Sequence, residues 1–96
     1  MFDIKNPTDY ATELGQKLKA LRLQRNLRQS DVAHDAGISA PTLGVLENQG
    51  RGSLEVLAKV MYVLGREGEL ERLLPPDPPA SLDEIGRVHT RKRARR

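Results

Sequence analysis

Ninety-six residues with a formal net charge of +3 make one small domain plus extensions, and a domain of that size buries little enough surface that a dimer interface would help it. The absence of cysteine excludes a disulfide framework and a thiolate metal site and fits a reducing cytoplasm. No apolar run approaches the roughly 20 residues of a membrane span, and the leading MFDIKNPTDY carries acids without an apolar core, unlike a signal peptide, so a soluble, cytoplasmic chain is expected.

The charge is unevenly spread. Arg87, Arg91, Lys92, Arg93, Arg95 and Arg96 form a run with no acid among them, and setting these six aside leaves 10 basic against 13 acidic residues, a net −3, in residues 1–86. The basic pI therefore belongs mostly to the tail, and any affinity of the domain for a polyanion must come from where individual cations stand.

In chain order, residues 1–7 read as an arm with little to bury beyond Phe2 and Ile4. Thr8 is the expected cap of helix 1, with Asp9 in the first turn where a negative charge suits the helix dipole. Leu14, Leu18 and Leu21 recur at four and three, the stripe of an amphipathic helix. Lys17, Lys19, Arg22, Arg25 and Arg28 follow one another with no acid between them.

Residues 29–48, QSDVAHDAGISAPTLGVLEN, carry the organising pattern. Val32, Ala33 and Ala36 share one face of a short helix that starts at Gln29 after Arg28, a poor cap. Gly37 suits the left-handed position that ends many helices. Ile38 turns inward and Ser39 caps a second helix, which tolerates Pro41 in its first turn because the early N–H groups have no intrahelical partner. Leu43 and Leu46 give that helix its buried edge. Ala33 faces it at close range, where a larger side chain would push the two helices apart. Two short helices joined by a tight turn containing Gly form a helix-turn-helix.

Beyond a polar loop, Gln49-Gly50-Arg51-Gly52, Ser53 caps helix 4 with Glu55 in its first turn. Leu54, Leu57, Ala58, Met61 and Leu64 form one stripe, expected to complete the core; Val56, Val60 and Val63 form a second, facing the rest of the core or a twofold mate. Gly65 ends this helix, and Glu67 to Leu74 reads as a short helix 5 with Leu70, Leu73 and Leu74 inward. The run PPDPP (75–79) predicts an extended spacer. Ser81 to Ile85 has the makings of one helical turn, and the chain from Gly86 reads as disordered unless bound. The expected division is an arm (1–7), a domain (8–74), and a Pro-rich linker with an Arg-rich tail (75–96).

On Ala33, Gly37, Ile38, Leu43 and Leu46, the segment resembles the helix-turn-helix of the lambda-repressor/Cro-like (XRE) regulators. The resemblance spans about Leu14 to Leu74 and implies an all-α, compact five-helix DNA-binding domain that dimerises on a palindromic double-stranded operator. It also implies residue roles. Ser39, Ala40, Pro41, Thr42, Gly44 and Val45 fall on the base-reading part of the recognition helix; Arg22, Arg28, Gln29, Asn48 and Arg51 match positions near the DNA phosphates. Arg22 would further pair with Glu47 and hold that helix at its angle. This chain departs from the pattern in two respects. The loop after Asn48 is one residue short, and the base-reading positions are small and mostly apolar. Among Ala40, Pro41, Thr42, Gly44 and Val45, Thr42 alone can hydrogen-bond a base edge, while Ala40 and Val45 suit thymine methyls.

The function expected is a sequence-specific, autoregulatory transcriptional repressor, acting as a homodimer. A narrower version, an antitoxin resembling the HipB group with a toxin partner, draws on the Pro-Thr entry to helix 1 and the C-terminal extension. The alternative is a protein-interaction module of the same fold that does not read DNA, for which the apolar recognition positions speak. The basic tail would follow DNA, bind a partner, or solubilise. RNA binding is disfavoured because Phe2, Tyr10 and Tyr62 are few and scattered. No enzyme, metal or cofactor is expected: His34 and His89 are the only histidines, and no nucleophile–base pair is evident.

Overall fold

The computed structural model describes residues 5–79. Within them the chain is all-α, with α1 (Pro7–Gln24), α2 (Gln29–Ala36), α3 (Ala40–Gln49), α4 (Leu54–Val63) and α5 (Glu67–Glu71). The first helix starts two residues earlier than a Thr8 cap would place it. Asn6 is the cap: its Oδ1 accepts from the Asp9 amide at 2.9 Å, and Asp9 Oδ2 accepts from the Asn6 amide at 3.1 Å. This reciprocal box outcompetes Thr8 because Pro7, at the first helical position, has a φ already suited to the helix and no N–H to satisfy. Lys5 then lies 5.5 Å from the Tyr10 ring centre and 2.5 Å from the Glu13 carboxylate, fastening the chain entry where an apolar staple often sits.

The buried edge of α1 is Gly15, Leu18 and Arg22, with Leu21 packed beside it. Leu14, expected inward, is 41% exposed. The cause is Gly15, which brings the α1 and α3 backbones into direct apposition: a Cβ there would overlap the Leu46 carbonyl. The contact line is thus rotated away from Leu14. Gly50 makes a second such approach, where a Cβ would strike the Ala11 carbonyl, and it also holds the left-handed φ of 67° that ends α3. That helix includes Gln49, so the polar loop begins one residue later than expected.

The turn between α2 and α3 matches its sequence. Arg28 supplies no side-chain cap to α2. Gly37 has φ 71°, and the Ile38 amide reaches back to the Ala33 carbonyl at 2.9 Å, which closes the orphan carbonyls and tucks Ile38 against the core. Ser39 Oγ accepts from the Thr42 amide at 3.1 Å, and Ser53 Oγ from the Val56 amide at 3.0 Å.

One core runs through the domain: Leu18, Val32, Ala33, Ala36, Leu43, Leu46, Val60, Met61 and Leu64. α1 packs on α3, α2 on both α3 and α4, and α5 on α4. On α4 the two expected stripes merge, with Val60 at the centre and Val56, Leu57 and Val63 on the shoulders. Leu54, expected in the core, is 84% exposed because the first turn of α4 overshoots the packed region. α5 is also shorter than expected. Leu70 reaches the core, but Leu73 and Leu74 are exposed and Leu74 has φ 56°. Pro75 explains the stop, since a residue before proline is disfavoured in the helical region.

Candidate nucleic-acid interface

The recognition-helix candidate α3 is held from behind by one buried ionic network. Arg22 Nε donates to Glu47 Oε2 at 2.7 Å and Arg22 Nη2 to Glu47 Oε1 at 3.1 Å. Arg22 Nη1 donates to the Leu27 carbonyl at 2.8 Å, and Gln29 Nε2 to Glu47 Oε1 at 3.0 Å. Glu47 is 1% exposed and Arg22 6%, so the carboxylate exchanges its hydration for three directed donors. The two side chains link the end of α1, the start of α2 and the end of α3. Arg22, anticipated also near a DNA phosphate, is enclosed here with its guanidinium committed, and its place is positional.

α1 also grips the C-terminal turn of α3, whose last carbonyls lack helical partners. Gln16 Nε2 donates to the Glu47 carbonyl at 3.1 Å, Thr12 Oγ1 to the Gln49 carbonyl at 3.4 Å, and Lys19 Nζ to Asn48 Oδ1 at 3.0 Å. At α1's own end, Arg25 Nη1 donates to the Leu64 carbonyl at 2.5 Å. With its far end clamped in this way, α3 leaves its leading face outward. Ser39, Pro41 and Val45 are exposed; Ala40, Thr42 and Gly44 are half-buried. The hydroxyls of Ser39 and Thr42 lie 2.7 Å apart and share a hydrogen bond. Of the anticipated phosphate ligands, Arg28, Asn48 and Arg51 are exposed, while Gln29 is half-buried and tied to Glu47.

Two helices at this spacing, with the Gly37 turn between them and the second presented end-on, form a helix-turn-helix. The family model described as a helix-turn-helix domain matches residues 13–74. The chain belongs to that family. No curated protein matches the chain.

The helix-turn-helix domain, an architecture of DNA-binding regulators, spans the core and, apart from Thr12, the residues just placed around α3. His34 is exposed on α2. Among the described residues no group of three or more His, Asp or Glu side chains converges as a metal site would require. No described helix is long and apolar enough to cross a membrane. The basic tail, Arg87, Arg91, Lys92, Arg93, Arg95 and Arg96, and the helical turn expected at Ser81 to Ile85 lie outside the described residues.

Several site residues escape sequence reading. Thr12 and Gln16 look like ordinary polar positions on α1, Lys19 like one more cation of the basic run, and Gly15 like a weak spot within the helix. A signal exists only for Gly15: a helix-interior glycine beside an apolar stripe marks a possible close approach. The Gln29–Glu47 bond joins residues 18 apart in sequence and has no local signature.

Proposed function

We propose that this protein is a sequence-specific, double-stranded-DNA-binding transcriptional repressor of the lambda-repressor/Cro-like (XRE) class, acting as a homodimer on a palindromic operator in its own upstream region. The reading rests on one observation: a buried Arg22–Glu47–Gln29 network fixes α3 from behind and leaves Ser39, Pro41 and Val45 outward. In this role α3 enters the major groove by its N-terminal end. Arg28 and Arg51, exposed at either side of the motif, neutralise backbone phosphates and set register. The α2 N-terminus, which Arg28 leaves without a side-chain cap, offers N–H groups to a phosphate beside Gln29.

Dimerisation is assigned to the α4–α5 side. An open, largely apolar groove of 360 Å³ lies there, lined by Ala36, Ala58, Tyr62, Val63 and Leu70 together with the charged Asp35, Lys59 and Glu67. Tyr62 is 70% exposed and Leu73 61%. A twofold mate would cover them and supply the burial that a small domain lacks. No catalysis or cofactor is assigned.

Footprinting on the protein's upstream region, with sedimentation to give the bound stoichiometry, tests the proposal. Two protected half-sites about one helical turn apart, each covered by one subunit, are expected. The absence of any protected segment at low salt would end it.

A second reading draws on the same face. Ala40, Pro41 and Val45 offer no donor or acceptor, and the Thr42 hydroxyl is already bonded to Ser39, which suits a protein-interaction module. A folded chain that prefers no duplex over random-sequence DNA at low salt, yet captures a partner protein and loses it on Val45→Glu, would favour that module. The HipB-like antitoxin role predicts a toxin that co-purifies; a solitary dimer counts against it.

A further inference from the structure

Gly44 stands in the interior of α3, where glycine is among the least favourable residues. The fold does not call for it. Gly44 is absent from the residues with left-handed backbone, and a Cβ added there would meet only the end of the Gln29 side chain, 3.6 Å from Nε2 and 3.9 Å from Oε1. Those are ordinary van der Waals distances. Gly15 and Gly50 differ, since a Cβ at either would collide with backbone. The helix thus forgoes stability at a position with room for a methyl group. In a regular helix, the remaining advantage of glycine is that another molecule can approach the backbone more closely.

Gly44 lies one turn beyond Ala40 and beside the exposed Val45, on the half of α3 that the DNA-binding reading turns toward the duplex. Of the hydrogen-bond donors around this part of α3, Gln29 Nε2 is engaged on Glu47, and the Ser39 and Thr42 hydroxyls bond each other. A contact at Gly44 is therefore one of steric fit. Resting on that DNA-binding reading, we infer that Gly44 is a specificity-determining residue whose missing side chain receives the C5-methyl of a thymine in the major groove. The base pair is discriminated there by the size of the gap, because thymine alone among the four bases carries that methyl.

The test uses the full chain and the duplex it enriches from a random pool, together with versions carrying uracil for thymine at single positions. Gly44→Ala is expected to raise Tm by about 5 °C, because helix propensity improves without a clash. It should weaken binding to the enriched duplex about tenfold or more, as a mismatched base pair does, with random-sequence DNA unaffected. At one thymine per half-site, uracil should weaken the unmodified protein and restore Gly44→Ala, since the methyl has moved from base to protein. Unchanged affinity of Gly44→Ala, no uracil position that restores it, or a lowered Tm would each overturn the inference while leaving the DNA-binding reading intact. If the unmodified chain enriches no duplex, the DNA-binding reading fails and takes the inference with it.

Discussion

Removing one member of the Arg22–Glu47 pair tests the central structural element. In Arg22→Ala, the Glu47 carboxylate, 1% exposed, loses two of its three donors and keeps only Gln29. The Leu27 carbonyl loses its bond as well. A buried charge left without its partner typically costs about 3–5 kcal/mol. The described residues would supply a total stability of roughly 4–11 kcal/mol, at about 0.05–0.15 kcal/mol per residue, so either Arg22→Ala or Glu47→Ala removes a large share. The paired replacement Arg22→Met with Glu47→Leu should be much milder than the sum of its two single changes, because neither variant side chain strands a charge. Urea denaturation followed by circular dichroism, arranged as a double-mutant cycle, gives the coupling directly. Single changes below about 1 kcal/mol, or strict additivity, would place the pair among solvent-screened surface bridges and refute the argument that it holds α3.

Gly15→Ala should lower Tm despite better helix propensity, because its methyl would overlap the Leu46 carbonyl and separating the backbones costs about 1–3 kcal/mol; an unchanged Tm would mean that α1 and α3 are not in such close contact. Arg51→Gln should reduce the magnitude of the log–log salt slope of operator binding by about 0.9 per half-site, or about 1.8 for a dimer, with Tm unmoved because Arg51 is exposed. An unaltered slope would remove Arg51 from the phosphate contacts. The hydrogen bond from Arg66 holds the Glu69 carboxylate below its ordinary value of 4.5. Its contribution is therefore complete above that pH and fades as acid protonates the folded form. Glu69→Gln should accordingly lower the neutral plateau slightly and remove a small acid-side slope in a pH–stability profile, with the acid limit unchanged; a change confined to alkaline pH would contradict the assignment.

The helix-turn-helix was legible because its determinants are local. Gly37 ends α2, Ser39 starts α3, and Ala33, Leu43 and Leu46 share faces set by the helical repeat. The Arg22–Glu47 pair was legible through resemblance, not spacing, since 25 residues separate its members. Leu54, Leu73 and Leu74 misled for a common reason, and Leu14 because the approach at Gly15 turned the contact line away from it. Periodicity marks an apolar residue as able to face a core but says nothing of where that core ends, and those three lie outside it. The Thr8 cap lost to Asn6 because the reciprocal bond with Asp9 satisfies two amides where a single cap satisfies one.

Composition and pattern alone determined that the domain is helical, where the turn between α2 and α3 falls, and that the leading positions of α3 are small and mostly apolar, since each of these depends on residues within one or two turns of each other. Only the tertiary structure decided that Arg22 is enclosed, that Thr12, Gln16 and Lys19 hold the end of α3, and that Gly15 and Gly44, alike in sequence, stand in opposite circumstances. One is pressed against a neighbouring backbone and the other has room for a methyl group. That difference is set by how two helices distant in the chain are brought together, which local propensity does not encode.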